Sequence, residues 1–221
     1  MKRLRRLTAF VLCLSILFIL ATPPAIAASP TFTDISGHWA EEIIEQFSDA
    51  GIIVGFPDGS FRPDQRVTRA ELAAIITRAF DLSGGFPVEY TDVNPEAWYY
   101  LYLNSAARFI PSHQFGESHF APNLSAHRSD VAETFVSITL YTTDIVIEMP
   151  TYEEIAQQIR DTFRDSDYHY GDISFPNVQR LFRVTWLAYY LGIMEGFSGY
   201  FRPAWNITRA EVLTILDRML P

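Results

Sequence analysis

One short string occurs three times in this chain and constrains the fold more than any other feature. FRPDQRVTRAE runs from Phe61 to Glu71, and FRPAWNITRAE runs from Phe201 to Glu211. A weaker copy, FAPNLSAHRSD, runs from Phe120 to Asp130. A recurring unit of this size buries its apolar face against its neighbours, so the chain is expected to fold as an array of three repeats.

A second motif precedes each string. The first copy begins with Phe32-Thr33-Asp34-Ile35 and reaches Trp39, and the second begins with Tyr90-Thr91-Asp92-Val93 and reaches Trp98. The third begins with Phe163-Arg164-Asp165 but has no Trp at the matching place. The repeats are therefore expected to start near residues 32, 90 and 163, and Trp186 is expected to pack within a helix.

Each repeat is predicted to fold as helix, loop and helix. In the first repeat an apolar helical face ends before Gly51, a residue suited to a left-handed helix end. Phe56-Pro57-Asp58-Gly59 has the composition of a tight turn. A second apolar face follows the string, comprising Leu72, Ile75, Ile76, Ala79 and Phe80 in the first repeat and Val212, Leu213, Leu216, Met219 and Leu220 in the third.

An insertion separates the second and third repeats. The spacing grows from 59 residues between Thr68 and His127 to 81 residues between His127 and Thr208. Thr151-Tyr152-Glu153-Glu154 fits a capping box, and apolar residues follow it at helical intervals, so an extra helix is predicted over 151–162. The fold class is thus mostly α, with this helix inserted before the third repeat.

The N-terminal segment has the pattern of a secretory signal peptide. A basic start precedes the apolar run from Leu7 to Ala21, and Ala25-Ile26-Ala27 provides small residues for cleavage. An uncleaved anchor is the alternative.

We expect a signal peptide at 1–27, repeat one at 28–84, a divergent repeat two at 85–145, an inserted helix or linker at 146–162 and repeat three at 163–221.

Charge and cysteine content exclude several functions. The chain has 17 basic and 26 acidic residues, a net charge of -9, which opposes binding to nucleic acid or anionic membrane. Cleavage at 27 removes four bases and no acids, leaving 13 against 26, a net charge of -13. The single cysteine, Cys13, lies in the apolar run, so the mature chain is expected to have neither disulfides nor thiolate metal sites.

Catalysis, cofactors and metals are not expected. The acidic pairs Glu41-Glu42 and Glu153-Glu154 fit solvated helix faces, and no carboxylate pair typical of a glycosidase cleft is recognisable. The five histidines do not have the spacing of metal ligands. They are His38, His113, His119, His127 and His169.

Residues 32–80 resemble a complete S-layer homology (SLH) repeat of bacterial surface proteins, from FTDISGHW to TRAELAAIITRAF. The second and third copies resemble it less completely. The resemblance implies three repeats around a pseudo-threefold axis, with grooves that bind cell-wall polysaccharide, often a pyruvylated secondary polymer. In the family, the Arg of TRAE and aromatic or Asp residues near the repeat start help to line such grooves.

The candidate ligand-binding residues follow from this resemblance and from the chemistry of each type. Arginine at a helix start suits a carboxylate ligand, because the guanidinium and the free N–H groups both donate. An ion pair to Asp34, Asp92 or Asp165, helix capping by the glutamates and core packing of the tryptophans are the structural alternatives. The candidates are Arg69, Arg128, Arg209, Asp34, Asp92, Trp39, Trp98, Glu71, Asp130 and Glu211.

The predicted function is non-covalent binding of the cell wall at the surface of a bacterium. The expected partner is an anionic, pyruvylated or peptidoglycan-linked polysaccharide, with neither nucleic acid nor lipid membrane after cleavage. The inserted helix is a candidate docking surface for another surface protein. Unequal grooves are expected because the repeats diverge. The alternatives are a self-assembling surface-layer component and a wall polysaccharide hydrolase.

Overall fold

The computed structural model describes residues 32–112, 116, 118–165 and 176–220, and in this part of the chain the fold is mostly α-helical. The predicted signal peptide, Cys13, His113 and His169 lie outside the described residues. The helices are α1 (Glu41–Asp49), α2 (Arg69–Ala79), α3 (Tyr100–Ala106), α4 (Arg128–Thr142), α5 (Tyr152–Thr162), α6 (Pro176–Tyr190) and α7 (Arg209–Met219). The predicted mostly-α fold class is confirmed.

The main helix contacts join different repeats. The second helix of repeat one, α2, packs on α3, the first helix of repeat two. In the same way α4 packs on α6, and α7 of repeat three packs back on α1. Each repeat thus completes the apolar contacts of the next one, and the third closes onto the first.

A closed ring of backbone hydrogen bonds lies at the meeting point of the repeats. The Val67 N–H donates to the Ile207 carbonyl (3.0 Å), the Ile207 N–H to the Ala126 carbonyl (3.1 Å), and the Ala126 N–H to the Val67 carbonyl (2.9 Å). All three residues are fully buried. A cyclic set of equivalent contacts is what a threefold arrangement of repeats requires.

The aromatic residue that starts each repeat packs on the phenylalanine that starts its string. The ring centroids are 5.3 Å apart for Phe32 and Phe61, and 5.5 Å apart for Tyr90 and Phe120. The third pair, Phe163 and Phe201, is 5.4 Å apart. One apolar core runs through all three repeats and includes these pairs.

The inserted helix α5 packs on α6 and begins with the predicted capping box. The Glu154 carboxylate accepts a hydrogen bond from the Thr151 N–H (2.8 Å), and the Thr151 hydroxyl accepts one from the Glu154 N–H (3.3 Å). Trp186 is buried between the two helices, where its indole N–H donates to the Gln158 amide oxygen (2.7 Å). The predicted packing role of Trp186 agrees with this position.

Over the described ranges, no helix combines the length and the apolar character needed to cross a membrane.

Candidate functional site

The arginine of each string reaches into the next repeat. The Nε group of Arg69 donates to the Phe120 carbonyl (2.8 Å), that of Arg128 to the Phe201 carbonyl (2.9 Å), and that of Arg209 to the Phe61 carbonyl (2.9 Å). Each guanidinium therefore makes the same contact in cyclic order. The arginine residues connect the three repeats.

Each arginine also pairs with the acidic residue that ends the neighbouring string. The N–O distance is 3.3 Å from Arg69 to Asp130 and 2.9 Å from Arg209 to Glu71. The third pair, Arg128 and Glu211, is wider at 3.9 Å. The ion pair between repeats that was given as the alternative is therefore present, with Asp130 and Glu71 as the direct partners of Arg69 and Arg209 in place of Asp92 and Asp34. The repeat-start aspartates instead bind their own loops.

Arg69 is not a surface residue. Its exposed fraction is 0%, and burial lowers the pKa of its guanidinium because the charged form loses hydration. The Asp130 carboxylate and the carbonyls of Phe120 and Pro111 satisfy its donors. Protein atoms therefore surround the Arg69 guanidinium, at the place where the sequence predicts a carboxylate ligand.

Glu71 and Glu211 have two structural contacts each. Glu71 closes the capping box of α2, accepting from the Thr68 N–H (2.7 Å), and pairs with Arg209. Glu211 does the same for α7 through the Thr208 N–H (2.8 Å) and faces Arg128. The capping alternative given for these glutamates agrees with this geometry.

Asp34 and Asp92 fix the first two residues of the string in their own repeats. Asp34 accepts from the N–H groups of Phe61 and Arg62 (2.7 and 2.8 Å), and Asp92 accepts from those of Phe120 and Ala121 (2.9 and 2.7 Å). Asp165 makes the matching pair of bonds to Phe201 and Arg202. The second residue of each string has a positive φ, 59° at Arg62, 58° at Ala121 and 57° at Arg202. The two bonds from each carboxylate hold this unfavourable backbone conformation.

Trp39 and Trp98 lie on the surface, with exposed fractions of 62% and 60%. The core-packing alternative is therefore wrong for both. A large apolar ring left in water by a well-packed core is a candidate contact for a ligand.

Each of these tryptophans borders a groove built from all three repeats. The first groove has a volume of about 410 Å³ and the second about 260 Å³. The first groove is lined by Ile53, Val54, Gly55, Phe56, Pro57, Glu71, Ala74, Ile75, Arg78, Trp98 and Arg209. The second groove is lined by Trp39, Arg128, Met194, Glu195, Gly196, Phe197, Glu211, Thr214, Ile215 and Arg218.

The two grooves are equivalent under exchange of the repeats. Each contains the tryptophan of the next repeat, the string arginine of the preceding repeat, and a loop with a Gly-Phe pair: Gly55-Phe56 in the first and Gly196-Phe197 in the second. The helix that forms the wall contributes Glu71, Ala74, Ile75 and Arg78 in the first groove and Glu211, Thr214, Ile215 and Arg218 in the second. Corresponding positions of the repeats therefore line both grooves.

The more accessible cations of the grooves are Arg78 and Arg218, which are absent from the sequence-based candidates. Arg78 is half-buried and donates to the Tyr102 hydroxyl (2.7 Å), whereas Arg218 is exposed and donates to the Glu195 carboxylate (3.3 Å). A sequence signal existed, because an arginine stands nine residues after the string arginine in repeats one and three, while repeat two has Ser137 there.

The third interface has a different lining. Its cavity of about 410 Å³ is lined, within the described ranges, by Ser129, Asp130, Glu133, Asn177, Arg180, Leu181 and Val184. Neither a tryptophan nor Arg69 is among them. Arg180 forms a two-bond ion pair with Glu133 across this cavity. The described residues of this interface therefore do not repeat the lining of the other two grooves.

Comparison with known proteins gives a family match at two segments. Residues 31–73 and 187–213 match the S-layer homology domain. The chain is 42% identical over 69 residues to a cellulosome-anchoring protein of Acetivibrio thermocellus, covering 30% of this chain and 15% of that protein. It is 35% identical over 105 residues to a surface-layer 125 kDa protein of Lysinibacillus sphaericus, covering 48% of this chain and 9% of that protein.

A longer match includes an enzyme. The chain is 28% identical over 192 residues to an amylopullulanase of Thermoanaerobacterium thermosulfurigenes, covering 86% of this chain and 9% of the enzyme. The chain thus spans between 9% and 15% of the length of these three relatives. The segment that matches this chain is thus a small part of each relative, and the three relatives carry different descriptions.

Proposed function

Since this chain carries S-layer homology domains, we propose that it anchors at the bacterial cell wall by binding a wall polysaccharide in its two equivalent grooves. The recurrence of one groove chemistry at two separate interfaces is the observation that carries the proposal. The family and its surface-layer relative indicate a secreted protein of the cell wall.

The groove lining fits a pyranose chain with carboxylate substituents. The exposed rings of Trp98 and Trp39 offer flat apolar faces on which the C–H face of a sugar can stack. Arg78 and Arg218 place a guanidinium in the same grooves, and a guanidinium binds a carboxylate through two parallel hydrogen bonds. We therefore propose a pyruvylated polymer as the ligand, because a pyruvyl ketal supplies one carboxylate on the sugar ring.

The two grooves differ in charge. The first contains two arginines and one glutamate, whereas the second contains two arginines and two glutamates. An anionic polymer should therefore bind more tightly in the first groove, and salt should weaken that binding more strongly. The whole chain is acidic, so the attraction is local to the groove.

Sedimentation with purified wall sacculi tests the proposal. The protein should sediment more strongly with sacculi that retain the secondary polymer than with sacculi from which the polymer has been removed. Trp98→Ala combined with Trp39→Ala should abolish the part of the sedimentation that depends on the secondary polymer. Trp205→Ala is the matched control, since Trp205 is a half-exposed tryptophan outside both grooves. Equal sedimentation of the double variant and the wild type contradicts the proposal.

Two further outcomes separate this role from the alternatives. A hydrolase would release reducing ends from the polymer with time, and a carboxylate variant would lose that release. A self-assembling surface-layer component would form ordered arrays in the absence of polymer. A wall-binding module does neither, and we propose that this chain acts without catalysis.

A further inference from the structure

A pocket on the inserted helix lies apart from both grooves. Its volume is about 360 Å³, within the range of small-ligand pockets, which is about 300–1,000 Å³. Helix α5 contributes one side and helix α6 the other. The described residues that line it are Gln158, Ile159, Thr162, Trp186, Tyr189 and Tyr190.

Two exposed tyrosine rings of this pocket are held in fixed positions. Tyr190 stacks on the buried Trp186, with ring centroids 4.7 Å apart and an interplanar angle of 13°. One ring face of Tyr190 is thereby covered, and its exposed fraction of 62% leaves the other face open to solvent. Tyr189 meets Phe163 edge to face at 5.5 Å. A ligand would therefore meet rings that are already ordered.

The equivalent helix of repeat one has no such rings. Gly51 and Gly192 end the two helices in the same way, donating to Ser48 and Tyr189 respectively (2.9 and 3.0 Å). By this alignment repeat one has Glu45, Ser48 and Asp49 where repeat three has Trp186, Tyr189 and Tyr190. Packing of α5 requires the buried Trp186, but it does not require two tyrosines that remain exposed.

The polar groups that the described residues contribute to the pocket are uncharged. The Gln158 amide oxygen accepts from Trp186, which leaves the amide NH₂ group to donate to a ligand. The Thr162 hydroxyl lies in the same lining, and none of the six lining side chains carries a charge. Flat apolar rings beside neutral donors and acceptors suit a sugar ring, which has an apolar C–H face and a rim of hydroxyls.

We propose that this pocket binds an uncharged pyranose chain of the cell wall, independently of the anionic polymer in the grooves. The inserted helix would then add a second kind of wall contact. A protein partner at this helix is the competing occupant, but the open Tyr190 face and the uncharged side chains of the described lining favour the sugar. The pocket therefore differs from the grooves in ligand as well as position.

Calorimetric titration of the full chain with chitohexaose and with cellohexaose tests the proposal. One of these neutral oligosaccharides should bind, and Tyr190→Ala should weaken its binding by about tenfold or more. Tyr190→Phe keeps the ring and should bind within about threefold of the wild type. The Trp39→Ala, Trp98→Ala double variant should bind the oligosaccharide normally while losing the anionic polymer.

The controls keep each outcome decisive. Phe86→Ala removes an exposed ring outside all the described cavities and should change nothing. Thermal midpoints establish that Tyr190→Ala remains folded. Failure of both oligosaccharides to bind the wild type overturns the proposal, and so does unchanged binding by folded Tyr190→Ala. Capture of a surface protein that requires Tyr190, without oligosaccharide binding, would assign the pocket to the protein partner instead.

Discussion

Arg69 links repeats one and two through a guanidinium that is completely buried. It faces the carboxylate of Asp130, which is itself buried, and two backbone carbonyls. Removal of one member of a buried ion pair leaves the other charge without compensation, which is more costly than the pair is stabilising. The arginine that looks like a ligand residue is therefore a structural connection.

We predict that Arg69→Ala lowers the free energy of unfolding by about 3–5 kcal/mol, because the buried Asp130 carboxylate then loses the Arg69 guanidinium. Urea unfolding of the wild type and the variant measures this change. Arg128→Ala should cost less, since Arg128 is half-buried and its pair with Glu211 is wider. Arg183→Ala, at an exposed position, should stay within about 0.5 kcal/mol of the wild type. A small effect for Arg69→Ala would show that the cluster does not stabilise the fold.

We predict that Asp165→Asn destabilises the protein by about 1–3 kcal/mol, because an amide accepts through only one of its two terminal atoms. One of the Phe201 and Arg202 N–H groups then loses its acceptor beside a positive-φ residue. Asp34→Asn should cost less, since Asp34 is exposed and water can replace the lost bond. Equal losses for the two variants in chemical denaturation would contradict this account.

Residue-level predictions from the sequence succeeded where they rested on backbone chemistry. The capping boxes at Thr68 and Thr208 are present as predicted. The acidic partners of the string arginines were not predictable, because the spacing of the repeats along the sequence does not show which acid of another repeat lies beside each arginine. The exposure of Trp39 and Trp98 was left open for a similar reason: each begins an apolar stripe whose orientation depends on the next repeat.

At the level of helices, apolar periodicity predicted the elements but not their partners. The face of α2 was expected from Leu72, Ile75 and Ile76, and all three are buried. That this face packs on α3 of the next repeat, and not on α1 of its own, depends on the closure of all three repeats. Periodicity identifies a face, whereas the neighbour is chosen by the whole assembly.

The capping box of α5 gives a prediction at this scale. Hydrogen bonds from the Thr151 N–H and hydroxyl lower the pKa of Glu154 below its ordinary value of 4.5. The carboxylate form is thus favoured in the folded state, so its contribution is present above the unfolded pKa and is lost as the pH falls through the folded pKa. Thr151→Ala should cost about 0.5–2 kcal/mol at neutral pH and should raise the pKa of Glu154.

Carboxyl NMR titration of Glu154 in the wild type and in Thr151→Ala measures that shift, and urea unfolding measures the stability. Thr142→Ala is the matched control, because the Thr142 hydroxyl bonds to a carbonyl of its own helix and caps no helix start. A pKa of Glu154 that is the same in both proteins would show that the capping box does not form in solution.

For the whole molecule, the cyclic contacts predict that the three repeats unfold together. Residues Val67, Ala126 and Ile207 complete one another's backbone hydrogen bonds, and α7 closes onto α1. Loss of one repeat leaves buried donors, acceptors and apolar faces exposed on both neighbours. Tryptophan fluorescence and far-ultraviolet circular dichroism should therefore report one coincident transition in urea.

Removal of residues 152–220 tests whether the first two repeats can fold without the third. The remaining two repeats should lack a cooperative transition, because α1 loses α7 and α4 loses α6. A stable, cooperatively folding two-repeat fragment would show that the repeats are independent units. The proposed repeats 28–84, 85–145 and 163–221 would then be domains that can fold independently.

Two grooves have corresponding linings, and the described residues of the third interface do not repeat that lining, which leads to a defined number of ligand sites. Calorimetric titration of the mature protein with a short fragment of pyruvylated wall polymer measures that number most directly. We predict two sites per chain, the tighter one lost in Trp98→Ala and the weaker one lost in Trp39→Ala. Three sites, or two sites that persist when both tryptophans are replaced in a folded variant, would contradict the assignment of wall binding to these grooves.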